Sequence, residues 1–202
     1  SCGIIKTMRQ SAFAQWEKEV SALEKTPAPY GGIVFTGSSS IRMWKSLQKD
    51  YPTLPVANRG FGGSQTFEVV HFFPRIVAPL RPRQVVLFSG TNDINAKKSP
   101  RQVASDFMDF SLQMRWLCPG ARLSYIEMTS SPSRWTQRDA VVEVNAIIKR
   151  HCERNGFDFI PVREKLFGAN GEPRPELFIA DRLHLNADGY KILADAVRPF
   201  LR

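Results

Sequence analysis

Residues 84–93 read Gln-Val-Val-Leu-Phe-Ser-Gly-Thr-Asn-Asp. The first six form a short apolar run without period-two alternation, which is the pattern of a strand covered on both faces. Gly90 ends the run, and Thr91, Asn92 and Asp93 follow at once, so polar chemistry sits directly after an expected central strand. Four more stretches are expected to be strands: residues 32–36, ended by Gly37; a weaker one at 55–58; 122–128; and 157–162. Between them lie segments of helical periodicity. Residues 9–25 place Phe13, Trp16, Val20 and Leu23 on one face. Residues 41–48 and 67–80 also read as helix. Residues 100–117 form a helix that opens on proline, where the missing N–H costs nothing. Residues 137–155 stop at Gly156, and 187–201 are capped by Asn186.

Strands alternating with helices of this length predict βαβ units and a parallel sheet with helices on both faces. In such sheets ligands bind outside the carboxyl ends of the strands. The chemistry-bearing residues should therefore cluster just after strands.

Composition narrows the classes. The chain has 202 residues, 43% apolar and 23% charged, which excludes disorder, collagen and a small disulfide scaffold as the main state. A single domain over residues 1–202 is expected, with an N-terminal helix over about 9–25 and a core over about 32–202. The longest uncharged run, 26–41, is broken by Pro27, Pro29 and glycines, so no membrane span is expected. No signal peptide is visible, and Ser1-Cys2-Gly3 would suit either a processed lipoprotein start or a trimmed end; the compartment stays open. Cys2, Cys118 and Cys152 are too few for a disulfide framework and show no metal-ligand spacing. The formal net charge of +9 raises nucleic acid as a partner. The basic residues are spread along the chain, however, and no aromatic-rich nucleic-acid motif interleaves with them.

Four segments carry candidate chemistry, three of them directly after strands. After the first strand comes Gly37-Ser38-Ser39-Ser40-Ile41, where a serine at a strand-to-helix turn is either exposed or an N-cap. It is not the G-x-S-x-G elbow, because Ile41 stands at the last glycine position. After the second comes Asn58-Arg59-Gly60-Phe61-Gly62-Gly63-Ser64, whose glycines allow close backbone approach or simply a tight turn. After the third, Asn92 either donates to an oxyanion or makes an Asx-turn. Late in the chain, Asp181-Arg182-Leu183-His184 precedes the last helix. A serine nucleophile needs a base, and the base needs a carboxylate that fixes its tautomer. Of the three histidines, His71 reads as a packed helix residue. His151 adjoins Cys152 on a helix, where consecutive residues do not face each other. His184 has an acid at close loop spacing.

Together these blocks resemble those of the SGNH hydrolases, also called GDSL esterases: Ser39 in GSSSIRMW, Gly63 in NRGFGGS, Asn92 in GTND and His184 in DRLHLNADGY. The likeness spans residues 33–197. The first block departs from the family name, with Ser38 at its aspartate position and Ser39 at the nucleophile position. The resemblance implies a flavodoxin-like three-layer α/β/α sandwich with a five-stranded parallel sheet. It implies Ser39 as nucleophile, His184 as base and Asp181 as its orienter. The Ser39 and Gly63 N–H groups and the Asn92 side chain would form the oxyanion hole. It requires no metal or organic cofactor, and it leaves a monomer or a homodimer open.

The substrate is less legible. Phe61, Ile94, Arg134 and Trp135 are candidate pocket residues, with segment 129–135 bordering the site. No insertion large enough for a lid is evident, so an open site is expected, and the resemblance implies short acyl chains, roughly two to eight carbons. Arg42, Arg59, Arg134 and Arg182 adjoin the motifs and are expected either to be structural or to favour an anionic substrate. The alternatives are a carbohydrate acetylesterase or thioesterase with the same machinery, and a catalytically silent binding module, which the intact Ser39, Asp181 and His184 argue against.

Overall fold

The computed structural model describes residues 13–202. The Ser1-Cys2-Gly3 start and the first four positions of the helix expected over 9–25 lie outside the described residues. Phe13 and Ala14 are helical, a turn follows at Gln15 and Trp16, and helix α1 spans Glu17–Lys25. The rest runs β1 (Ile33–Gly37), α2 (Ser39–Arg42), α3 (Leu47–Asp50), β2 (Val56–Gly60), α4 (Thr66–Ile76), β3 (Gln84–Phe88), α5 (Thr91–Asn95), α6 (Pro100–Leu117), β4 (Arg122–Ile126), α7 (Arg138–Asn155), β5 (Asp158–Ile160), α8 (Arg163–Leu166) and α9 (Ala187–Val197). Short 3₁₀ turns end the segments expected to be helix over 67–80 and 187–201.

The five strands form one parallel sheet in the order β2-β1-β3-β4-β5. This is the expected α/β architecture. Strands β1 and β3 are fully buried along their length, which is why their sequences lack a polar alternate. Their side chains still alternate in direction. Val34, Val85, Leu87, Leu123 and Tyr125 enter one apolar cluster with residues of α1, α4, α6 and α7. Ile33, Phe35, Val86, Phe88 and Ile126 enter the other, with residues of α2, α3, α8 and α9.

The helix expected over 41–48 is two short pieces instead. Asn58 Nδ2 donates to the carbonyls of Ile41 and Trp44, and Trp44 Nε1 donates to Asp50 Oδ2 at 2.7 Å. These bonds divert the backbone from a continuous helical ladder. The caps of the long helices follow the sequence: Ser99 and Gln102 close a capping box at α6, Gly156 ends α7 at φ 68°, and Asn186 Oδ1 accepts from Gly189 N–H at 3.0 Å. Cys118 and Cys152 are free and buried. No helix among the described residues is long and apolar enough to cross a membrane.

The strand order reverses between β1 and β3, whose neighbours β2 and β4 lie on opposite sides. That switch point opens a crevice at the carboxyl ends of the two strands. Ser39 follows one of them and Asn92 the other.

Candidate active site

Gly37 closes β1 opposite Phe88 in the register. It has φ 137°, and a Cβ there would lie 2.1 Å from the Phe88 carbonyl oxygen. Glycine is therefore required for the chain to leave the sheet at this angle. Ser38 N–H donates to the Phe88 carbonyl, and the Ser38 carbonyl accepts from Ile41 and Arg42 N–H, so Ser38 is the N-cap of α2 and Ser39 its first residue. The turn is held from the far end of the chain: the Tyr190 hydroxyl donates to the Ser40 carbonyl at 2.7 Å.

His184 comes from a tight loop. Phe178 and Leu185 form an antiparallel bridge, Ile179 N–H donates to the His184 carbonyl, and Arg182 takes a left-handed φ of 56° at the tip. The Asp181 side chain folds back over the loop. Its Oδ1 accepts from Leu183 N–H at 2.8 Å and His184 N–H at 3.0 Å, and its Oδ2 lies 2.6 Å from His184 Nδ1. His184 Nε2 lies 2.9 Å from Ser39 Oγ. Burial raises the Asp181 pKa, but the bonds from the His184 ring and the two amides outweigh it and hold the carboxyl down at about 2. An ionised carboxylate can only accept, so Nδ1 of a neutral imidazole carries the proton. Nε2 is then an acceptor facing the serine hydroxyl.

Asn92 opens on the same crevice. Its Nδ2 donates to the Ser64 carbonyl at 3.1 Å, and its Oδ1 accepts from Arg134 Nη1 at 2.9 Å. That pairing fixes which end of the amide faces which way. A Cβ on Gly63 would lie 3.9 Å from Asn92 Nδ2, so Gly63 is its neighbour. Among the described residues, the N–H groups of Ser39 and Gly63 have no acceptor. Gly62 is seated under Trp16, whose ring atom would lie 1.9 Å from an added Cβ, and its N–H donates to Glu19.

Asp93, beside Asn92, has no exposed surface. Its carboxylate accepts from Thr66 N–H at 3.0 and 3.1 Å, from the Thr66 hydroxyl and from Lys98 Nζ. It thereby ties the start of α4 to α5, the short helix that carries Asn92. Burial raises its pKa, with Lys98 and the Thr66 amide opposing. The sequence reading gave Asp93 no role of its own, because nothing local marks an acid as buried.

Residues 129–137 form a strap across the crevice. Besides the Arg134 bond, Ser133 N–H donates to the Arg182 carbonyl, and Gln137 Nε2 donates to Asn95 Oδ1 at 2.9 Å. Under the strap lies a cavity of about 50 Å³ bordered by Ser39, His184, Asn92, Arg134, Thr129 to Ser131, Phe178 and Leu185. A groove of about 620 Å³ adjoins it, sharing Thr129, Ser130 and Val141 and walled by Trp135 and Phe167.

Two of the expected pocket residues are elsewhere. Phe61 is fully buried and packs edge-on against Phe72 and Trp16. Ile94 is 6% exposed within the same apolar cluster. Both belong to the core because their apolar area is better buried under α4 and α6 than along a polar crevice. Trp135 borders the groove but not the cavity, and Arg134 borders the cavity. Of the other arginines near the motifs, Arg59 is buried and donates to the Ile76 and Thr26 carbonyls. Arg42 pairs with Glu19 at 3.3 Å, and Arg182 is exposed at the loop tip. His71 stacks on Phe13, and His151 lies 3.2 Å from Ser111 Oγ.

The chain thus has an α/β fold built on one parallel sheet, with a serine, a histidine and a carboxylate meeting at its switch point. The model of the GDSL-like lipase/acylhydrolase family matches residues 29–192, and the chain belongs to that family. No curated protein sequence matches it. Solved structures do. A Streptococcus pneumonia protein provisionally described as a platelet activating factor is 18% identical with TM-score 0.77, covering 100% of both chains. A GDSL-like lipase from Bacteroides thetaiotaomicron is 18% identical with TM-score 0.73, covering 93% of this chain and 96% of that one. A mutant acetyl-xylooligosaccharide esterase from Geobacillus stearmophilus is 16% identical with TM-score 0.66, covering 86% and 95%. At these identities the likeness establishes the fold, and family membership carries acylhydrolase chemistry.

Proposed function

We propose that the protein is a serine esterase that hydrolyses short-chain carboxylic esters through an acyl-enzyme. The observation that carries this reading is the unbroken contact chain from Ser39 Oγ through the His184 ring to Asp181, with spacings of 2.9 and 2.6 Å. Ser39 Oγ attacks the ester carbonyl while His184 Nε2 takes its proton. The tetrahedral oxyanion is met by the N–H groups of Ser39 and Gly63 and by Asn92 Nδ2. His184 then protonates the departing alcohol. Water, deprotonated by the same nitrogen, attacks the acyl-enzyme, and the acid leaves with Ser39 restored. Asp181 stays ionised throughout and stabilises the imidazolium.

The cavity of about 50 Å³ favours the small end of the acyl range. A series of p-nitrophenyl esters should peak at two to four carbons, roughly the size such a cavity accepts; a peak at sixteen carbons would contradict the reading. Ser39→Ala should abolish turnover and labelling by a fluorophosphonate probe while circular dichroism stays unchanged. Turnover that survives this substitution would remove Ser39 from the role.

A second reading concerns the alcohol. The groove of about 620 Å³ beside the cavity, with Trp135 and Phe167 in its wall, is wide enough for a sugar ring, and one of the similar structures acts on acetylated xylooligosaccharides. Acetate release from acetylated sugars, compared with simple alkyl acetates, tests it.

A further inference from the structure

Arg134 is a charge that the esterase mechanism does not use. It is half-buried and borders the same cavity as Ser39 and His184. Among the described residues its side chain makes one hydrogen bond, from Nη1 to Asn92 Oδ1. Among the described residues no carboxylate lies within ion-pair distance of it, and residues 1–12 contain no Asp or Glu. The cavity wall contains no acidic residue either. Arg59, buried more deeply, is different: two of its nitrogens donate to backbone carbonyls that pin it between α1 and α4. Among the described residues, Arg134 Nε and Nη2 have no hydrogen-bond partner. Withdrawing a guanidinium from water without a counter-ion is unfavourable, and burial lowers its pKa. A neutral amide donor would hold Asn92 Oδ1 equally well, so that bond does not account for a full positive charge at this place.

We propose that Arg134 is an anion-recognition residue, and that the preferred esters carry a carboxylate or a phosphate close to the scissile bond. The proposal rests on the esterase reading above. Asn92 sets the distance: with Oδ1 turned to Arg134, the opposite end of the amide faces the oxyanion. The free edge of the guanidinium therefore lies one amide and two hydrogen bonds from the reacting carbonyl. An anionic group a few bonds along the substrate reaches that edge. The planar fork of N–H donors fits both carboxylate and phosphate oxygens in a bidentate manner.

The test compares matched acetate esters: acetoxyacetate against its neutral isostere 2-acetoxyacetamide, and 2-acetoxyethyl phosphate against 2-methoxyethyl acetate. Acetate release gives kcat/KM for each with the wild type, Arg134→Lys and Arg134→Gln. The wild type should prefer at least one anionic member. That anionic-to-neutral ratio should fall about 10- to 100-fold in Arg134→Gln and less in Arg134→Lys, which keeps the charge but not the fork. Which pair responds identifies the carboxylate or the phosphate. Using the ratio cancels any change that the substitution causes through Asn92. If neutral and anionic esters lose activity equally, Arg134 only positions Asn92 and the proposal is overturned, with the esterase reading intact. If no ester is hydrolysed and Ser39 takes no fluorophosphonate label, both fall together.

Discussion

Substituting Asp181 in two ways separates its charge from its geometry. In Asp181→Asn, one amide atom must replace Oδ1, which accepts two backbone N–H groups, and the other must replace Oδ2, which faces one ring nitrogen. The carbonyl oxygen is favoured where two donors point. The NH₂ group is then left against His184 Nδ1, which must become an acceptor. The ring proton moves to Nε2, and His184 donates to Ser39 where it has to accept. The expected loss in kcat is ~10³ to 10⁴. In Asp181→Ala, by contrast, water can accept from Nδ1–H, because the Asp181 side chain is 42% exposed. The working tautomer survives, and what is lost is a charge-assisted bond, about 10- to 100-fold in rate. The amide variant should therefore be the slower of the two by about tenfold or more, despite being closer in shape.

Stability reports the charge separately. Holding the carboxyl at about 2 instead of 3.8 corresponds to about 2.4 kcal/mol, which solvent at so exposed a side chain screens to about 1 kcal/mol. The folded pKa is lowered, so this contribution is present above about 3.8 and is lost as pH falls through about 2. Asp181→Asn should thus unfold about 1 kcal/mol more easily than wild type at pH 7, with the gap closing in strong acid. The assays are p-nitrophenyl acetate hydrolysis and urea unfolding. An asparagine variant as active as the alanine variant would refute the tautomer argument.

Other substitutions test other contacts. Asn92→Ala should lower kcat ~10²- to 10³-fold with little change in KM; an effect confined to KM would contradict its oxyanion role. Lys98→Ala leaves the buried Asp93 carboxylate without its cation and should cost about 3 kcal/mol in urea unfolding at pH 7. In that variant, acidification should recover stability as Asp93, whose pKa burial raises, takes up a proton. A loss that does not vary with pH would place the cost elsewhere. Gly37→Ala drives a Cβ to 2.1 Å from the Phe88 carbonyl oxygen at φ 137° and should destabilise by more than about 3 kcal/mol; an unchanged Tm would rule out the close approach. Tyr190→Phe removes the bond to the Ser40 carbonyl and should cost about 1 kcal/mol, read from the same unfolding curves.

How much of this was legible in the sequence depended on the range of each signal. Strand β3 and the capped helices α6 and α7 were plain, because periodicity and caps are local. So was the placement of the three blocks that directly follow strands, since a parallel sheet lines up its carboxyl ends whatever the details of packing; the Asp181–His184 loop, beyond β5 and α8, is placed by no such rule. The break at Met43 and Trp44 was not legible: it depends on Asn58 reaching across from β2. Phe61 and Ile94 were misplaced because adjacency to a motif says nothing of which way a side chain turns, and both turn into the core. Arg134 bonds Asn92 across 42 positions, and Asp93 meets Thr66 across 27. Partnerships of that span leave no trace in composition or period.

The strap of residues 129–137 has a consequence for how such a site can change. Through Arg134 and Gln137 it grips α5, which carries Asn92, and through the Ser133 backbone it grips the loop of His184. The same segment forms the boundary between the cavity and the groove. A segment that touched substrate alone could be exchanged freely, retuning selectivity while leaving the rate of chemistry untouched. This one has no such independence. Loss of the Arg134 or Gln137 side chain is expected to cost turnover as well as selectivity, whereas Ser133 anchors through its backbone N–H and Trp135, which lines the groove, holds neither neighbour and is free to vary.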